Sequence, residues 1–399
     1  MAVNQDHLEA ALRAIIEPEL GLPLGELGFL REVKARRRRI RLEVALPVAA
    51  WPGSDELADE IHRVAGAVPG VEEIEFDLTV MTEEERAALR IVLRTHMLGE
   101  AALEADDGHG HGDHGHAHGE EGAMAAFLLP ESTTRVIGVS SGKGGVGKST
   151  VTVNLAIALA QAGHSVGLLD ADVYGFSVPK MLGTDHDPII LGDVVIPTSA
   201  HGVRCLSMGY FVPDDQPVIW RGPMLHKAIQ QFLTDAYWGQ PDFVLVDMPP
   251  GTGDVALTLA QVMPRAEIIV VTTPQPAAQR VAQRSAFAAR RLKLSVRGVV
   301  ENMSWFTGDD GTRYELFGAG GGSTLAADLG IPLLGQVPLV NAVRLGGDEG
   351  RPIVTVDPEA DTSVAFRSIA EKLAALGPAR VYRKELSLAS SPASTALEG

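Results

Sequence analysis

The chain of 399 residues carries a formal net charge of −17, 45% hydrophobic residues and a single cysteine. That length suits two or three globular domains with ample core, the acidic balance argues against a nucleic-acid footprint, and one thiol excludes an intrachain disulfide or a Cys-rich metal site. No run of about 18 apolar residues and no basic-then-apolar N-terminus occurs, so the expectation is a soluble, cytoplasmic protein without a membrane partner.

Residues 1–98 read as a small α+β domain: a helix over 6–16, strands over 29–33 and 40–46, a helix over 54–64, a strand over 71–78 and a last helix from 82. Turn signals such as Trp51-Pro-Gly53 and Val68-Pro-Gly70 fall between these elements. The basic block Arg36-Arg-Arg-Arg39 lies between two strand-like runs and is read as a solvated hairpin turn.

Residues 99–131 are taken as one linker because 99–121 become polar and glycine-rich, with seven acidic and no basic residues over 99–123 and five of the twelve histidines between His109 and His118. Such a segment lacks the apolar content that offsets ordering entropy, so it is read as a flexible linker. Imidazoles at this density also capture Zn²⁺, Ni²⁺ or Cu²⁺, which leaves a metal store open beside the plain tether.

From 132 to 378 strands and helices alternate, with strands near 136–140, 166–170, 203–208, 243–247, 267–273, 296–301 and 333–336. This alternation predicts an α/β fold, a mostly parallel sheet flanked by helices, with ligands at the carboxyl ends of the strands. Cys205 falls in a strand-like run and reads as a buried, inert thiol. Residues 379–399 are Ser/Ala-rich and read as a disordered tail.

Within that region Ser141-Gly-Lys-Gly-Gly-Val-Gly-Lys-Ser-Thr150 satisfies G-x-x-x-x-G-K-[ST]. Bare backbone N–H groups of Gly142, Gly144, Gly145, Val146 and Gly147 suit nucleotide phosphates, Lys148 suits their β/γ oxygens, and the Ser149 hydroxyl, followed by Thr150, suits Mg²⁺. A β-branched run precedes the loop and an apolar helix follows it, the order that the motif requires. The reading is a protein that binds ATP or GTP with Mg²⁺.

Lys143 is a second lysine in the middle of the loop, where the chain's own phosphates need no charge. Its natural use is to reach a nucleotide held by a second copy, which predicts a homodimer. Two acidic strand ends complete the constellation. Asp247 ends an apolar strand and is placed to hold a water on Mg²⁺; Asp170 is placed near the metal and Asp172 near the attacking water. The Gly251 N–H, in the loop Met248-Pro-Pro-Gly-Thr-Gly-Asp254, is placed to sense the γ-phosphate.

Taken with Asp170-Ala-Asp-Val-Tyr-Gly175, Val218-Ile-Trp-Arg-Gly-Pro-Met224, Pro249-Pro-Gly-Thr-Gly-Asp254, Glu301-Asn-Met-Ser304 and Gly335-Gln-Val-Pro-Leu339, the loop makes residues 134–376 resemble the Mrp/NBP35 family of deviant Walker A P-loop ATPases. Residues 6–80, through Ile16-Glu-Pro-Glu19 and Leu27-Gly-Phe29, resemble the MIP18-type domain often fused ahead of it. The resemblance implies that Lys143 acts across a dimer, that Lys148 and Ser149 bind phosphate and Mg²⁺, that Asp172 is the switch I aspartate and Asp247 the Walker B carboxylate, and that Asn302 contacts adenine. It also implies ATP hydrolysis coupled to carrying iron–sulfur clusters to apoproteins.

The sequence departs from that family after Glu301-Asn-Met-Ser304, where Thr307-Gly-Asp-Asp-Gly-Thr-Arg313 stands in place of a Cys-x-x-Cys. A [4Fe–4S] cluster commonly takes four thiolates, and two chains sharing Cys205 supply two. A spatial-positioning ATPase is the first alternative, although the chain offers neither a basic surface nor an amphipathic tail. Nickel or zinc delivery through the histidine-rich linker is the second.

Overall fold

The computed structural model describes residues 3–98, 125–129, 132–173, 175–184, 186–211, 222–251 and 254–378. The first stretch contains α1 (Gln5–Arg13), α2 (Leu24–Leu27), β1 (Leu30–Arg36), β2 (Arg39–Leu46), α3 (Ser54–Ala67), β3 (Glu73–Val80) and α4 (Glu83–Leu98). Its strands are ordered β1-β2-β3, β1 antiparallel and β3 parallel to β2. Along β2, Ile40, Leu42 and Val44 are buried while Arg39 and Arg41 are exposed, the two-residue period of a sheet with one face on a core. α1 begins where Asn4 Oδ1 accepts the His7 N–H at 3.1 Å, and it stops at Arg13, short of the expected 16. Pro18 disfavours a helical Glu17, and Ile16 bridges to Pro23 instead. The arginine block is a turn, with Arg37 at φ +58 and Arg38 and Arg39 paired to Glu72 and Glu73.

The larger region runs β4 (Arg135–Ser141), α5 (Lys148–Gln161), β5 (Val166–Asp170), α6 (Val178–Leu182), β6 (Ile189–Leu191), β7 (Val194–Ile196), β8 (Thr198–Ala200) and β9 (Val203–Ser207). It continues α7 (Gly222–Thr234), β10 (Phe243–Asp247), α8 (Asp254–Val262), β11 (Glu267–Thr272), α9 (Pro276–Arg291), β12 (Ser295–Glu301), β13 (Phe306–Thr307) and β14 (Arg313–Tyr314). It ends with α10 (Gly321–Leu329), β15 (Leu333–Gln336), α11 (Asn341–Glu349), α12 (Ile353–Val356) and α13 (Asp361–Ala375). Eight strands form one sheet in the order β15-β12-β11-β4-β10-β5-β9-β8, parallel throughout except for β8. The mostly parallel sheet expected from the alternation is present, and each of its expected strands is there.

Side chains on successive residues of a strand serve opposite faces. Val244 and Val246 of β10 join the core under α7, α8, α9 and α10, while Phe243 and Leu245 join the core under α5 and α13. α5 is buried almost all round, as its continuous apolar sequence requires. A third core belongs to the N-terminal region, but it includes Leu191, Val194 and Ile196 of the β6–β7 hairpin and Tyr237.

One boundary expected from sequence is corrected. Residues 125–129 were placed in the linker, yet Ala125, Phe127 and Leu128 are buried in the core beside α7 and α8, and Arg265 Nη2 donates to the Phe127 carbonyl at 3.2 Å. Their apolar content favours burial. The histidine cluster and residues 379–399 lie outside the described residues. Among the described residues, no helix is long and apolar enough to cross a membrane.

Candidate nucleotide-binding site

β4 is buried on both faces in the middle of the sheet and stops at Ser141, where the glycine loop turns the chain into α5. A Cβ on Gly142 would overlap the Val281–Ala282 backbone of α9, so only glycine allows the loop to pass. Gly145 and Gly147 have φ of +77 and +79, a region that costs L-residues with a Cβ. Val146 is buried, and its carbonyl accepts from Asn302 Nδ2 at 2.9 Å.

The loop faces a cavity of about 300 Å³ lined by Lys143, Lys148, Ser149 and Thr150 on one side and Asp172 on the other. Ser141, Gly144, Gly145 and Gly147 also line it. The N-terminus of α5 points its unsatisfied N–H groups here, and with Lys148 this makes an anion site. Parallel pairing of β10 with β5 sets Asp247 opposite Asp170, so strand register alone gathers the carboxylates behind the loop.

Asp247 is the hub. Its Oδ2 accepts from Ser149 Oγ at 2.5 Å and from Lys148 Nζ at 2.6 Å, and its Oδ1 accepts from Thr152 Oγ1 at 2.8 Å. Lys148 Nζ also lies 3.9 Å from Asp172 Oδ2, so one cation sits between two carboxylates. A serine hydroxyl bonded to a carboxylate is a hard-oxygen pair suited to Mg²⁺.

Asp170, expected near the metal, stands beside Asp247 but is turned inward. It is fully buried and does not line the cavity; its oxygens accept from the Asp172 N–H at 3.1 Å, the Val178 N–H at 3.3 Å and Ser207 Oγ at 3.1 Å. Burial, then the neighbouring Asp247, pushes its carboxyl above the ordinary aspartate range. It braces the turn that carries Asp172.

Three other residues singled out in the sequence make contacts within this chain. Lys143 Nζ donates to Gln275 Oε1 of the same chain at 3.1 Å, at the start of α9. The Gly251 N–H donates to the Ser141 carbonyl at 3.3 Å, where γ-phosphate sensing was expected. Asn302, expected at adenine, props the loop through Val146 and borders a second cavity of about 210 Å³ between Gly147, Thr150, Val337, Pro338 and Arg344. Sequence reasoning missed Thr152, Gln275 and Ser207, which are hydroxyls or amides without a motif of their own. It noted Gly335-Gln-Val-Pro-Leu339 but gave it no place at the site.

The family described as NUBPL iron-transfer P-loop NTPase matches residues 132–374, and that described as iron-sulfur cluster assembly protein matches residues 5–76. Proteins named iron-sulfur cluster carrier protein are similar along most of the chain: that of Mycobacterium tuberculosis is 42% identical over 373 residues, 92% of each chain. That of Bacillus subtilis is 38% identical over 340 residues, 84% of this chain and 88% of the relative. Among solved structures, a nucleotide-binding protein of Archaeoglobus fulgidus in complex with ADP is 33% identical, with a TM-score of 0.50 over 58% of this chain and 91% of its own. With its phosphate loop, its paired strand-end carboxylates and these relatives, the chain belongs to the NUBPL iron-transfer P-loop NTPase family.

Proposed function

We propose that this protein is an ATP-hydrolysing homodimer that acts in iron–sulfur cofactor assembly. The observation that carries the catalytic part is the cluster of Lys148, Ser149 and Thr152 on Asp247, with Asp172 facing the same cavity. Bound Mg²⁺, held by Ser149 with Asp247 behind it, would supply charge neutralisation at the phosphates. On nucleotide entry Lys148 exchanges its carboxylate partners for phosphate oxygens. Asp172, left facing the γ-phosphoryl end, orients the attacking water and accepts its proton. Lys143 swings from Gln275 to the nucleotide of the partner subunit, adding a second cation where charge develops.

The cluster-related part is supported by the relatives' name and by the matching family. One thiol per chain does not fit a resident [4Fe–4S] cluster, which commonly takes four thiolates. That thiol, Cys205, is fully buried, and burial holds it well above the usual thiol range. Among the described residues, no group of three or more His, Cys, Asp and Glu side chains is arranged to hold a metal ion.

Phosphate release tests the site: Lys148→Ala and Asp172→Asn are expected to lose at least about a hundredfold in turnover, the scale at which a transition-state contact acts. Wild-type turnover in Lys148→Ala would overturn the assignment. Lys143→Ala is expected to bind ATP yet hydrolyse it poorly, and light scattering with a non-hydrolysable analogue is expected to give twice the monomer mass.

A further inference from the structure

The N-terminal region is fastened to the larger one at a place that leads directly to the nucleotide site. Arg204, on β9, projects across the seam. Its Nη2 donates to the carbonyls of Glu19 at 3.0 Å and Leu20 at 3.1 Å, both in the N-terminal region, while Nη1 donates to the Trp238 carbonyl at 2.7 Å. The guanidinium lies 5.4 Å from the centre of the Tyr237 ring, and Tyr237 itself donates to the Leu20 carbonyl at 3.1 Å. Gly21 from one region and Gly239 from the other flank the guanidinium. A Cβ at Gly21 would come within 3.3 Å of Nη2, and one at Gly239 would overlap Nη1. This is a fitted slot for a planar fork of donors, which a lysine could not fill in the same way.

The N-terminal side of the slot is stiffened from within. Glu17 accepts the Leu20 N–H at 2.6 Å and Trp51 Nε1 at 2.8 Å, so the Glu17–Leu20 turn presents its carbonyls in one arrangement. Ser199 Oγ, on β8, adds a bond to Glu19 Oε2 at 2.9 Å.

The other end of β9 is Ser207. In the β5–β9 register Ser207 stands opposite Asp170, and its hydroxyl donates to Asp170 Oδ2. The same carboxylate fixes the Asp172 N–H at the edge of the phosphate cavity. Arg204 and Ser207 are three residues apart on one short strand, about 10 Å in extended chain.

We propose that docking of the N-terminal region and occupancy of the nucleotide site are coupled through β9, with Arg204 as the positioning residue that grips the Glu17–Leu20 turn while Ser207 holds Asp170. The proposal rests on the nucleotide reading above and adds a role for the N-terminal region in setting nucleotide affinity. Coupling of this kind is reciprocal: if docking favours magnesium–nucleotide binding, nucleotide tightens docking by the same factor.

The test uses the full chain, Mg²⁺ and the β,γ-imido analogue of ATP. Hydrogen exchange at residues 15–24 is expected to slow when the analogue binds wild type. In Arg204→Ala that slowing is expected to vanish, and calorimetric affinity for the analogue to fall about fivefold or more. Ser207→Ala, cut at the other end, is expected to show the same loss, and the double variant no further loss, because both break one connection. Tyr237→Phe, which removes a single hydroxyl, gives a milder reading should Arg204→Ala fail to fold. Analogue binding with unchanged exchange at 15–24 in wild type overturns the coupling alone, as do additive effects of the two substitutions. No binding heat in wild type overturns the nucleotide reading and the coupling with it.

Discussion

Lys148 stands at 2.6 Å from Asp247 and 3.9 Å from Asp172, and that placement explains why one lysine matters to two carboxylates. Its identity was legible in the motif; its partners were not, because strand register brings Asp247 to it from a hundred residues away. Asp170 teaches the converse, since a carboxylate that the motif marks only as a strand end also braces the Asp172 turn, through bonds to residues that no motif names. Cys205 is expected to resist thiol reagents in the folded protein and to react fully only after denaturation; labelling at the native rate of a free thiol would contradict its burial. Glu17 gives a pH test. Burial raises its carboxyl above 4.5, so the folded state holds that proton more tightly than the unfolded chain, and the stability it contributes is greatest below 4.5 and falls as pH rises. Because Glu17→Gln stays neutral, its melting temperature relative to wild type is expected to improve between pH 4.5 and 7. A Glu17→Gln melting temperature that falls relative to wild type over that range would refute the assignment.

At the scale of elements, β4, the glycine loop and α5 form one unit, and the sequence placed its strand within a residue of the observed ends. Period and composition agree there, with a strand buried on both faces, glycines where the backbone must turn, and a helix apolar all round. The loop's path is nonetheless dictated by α9, which passes so close that Gly142 tolerates no Cβ. Gly142→Ala is expected to cost about 1–3 kcal/mol, the range for overpacking a tight contact, and to abolish nucleotide binding; urea unfolding and calorimetry read the two effects. The short pairs β6–β7 and β13–β14 went unread. Strands of two or three residues carry too little alternation to register, and only their partners define them.

For the molecule as a whole, the N-terminal core borrows Leu191, Val194, Ile196 and Tyr237 from the larger region. Ile196→Ala is therefore expected to cost about 2–5 kcal/mol, as for other large buried aliphatic side chains, and to hasten hydrogen exchange at Leu8 and Leu12, nearly two hundred residues away. Unchanged exchange there would mean that the two cores are independent. Iron content bears on the whole chain: after anaerobic reconstitution, less than one cluster per dimer is expected, since the single thiol is enclosed. A stoichiometric cluster would reverse that conclusion.

The sequence alone determined the phosphate loop, the alternating strands and helices, the small α+β region ahead of them and the absence of a thiolate set, because each is written in local spacing, period or composition. The tertiary structure decided which carboxylate meets Lys148, that Asn302 supports the loop, and that the N-terminal region is seated on β9 through Arg204. Those outcomes depend on strand register and on contacts between residues far apart in the chain, which no local pattern encodes.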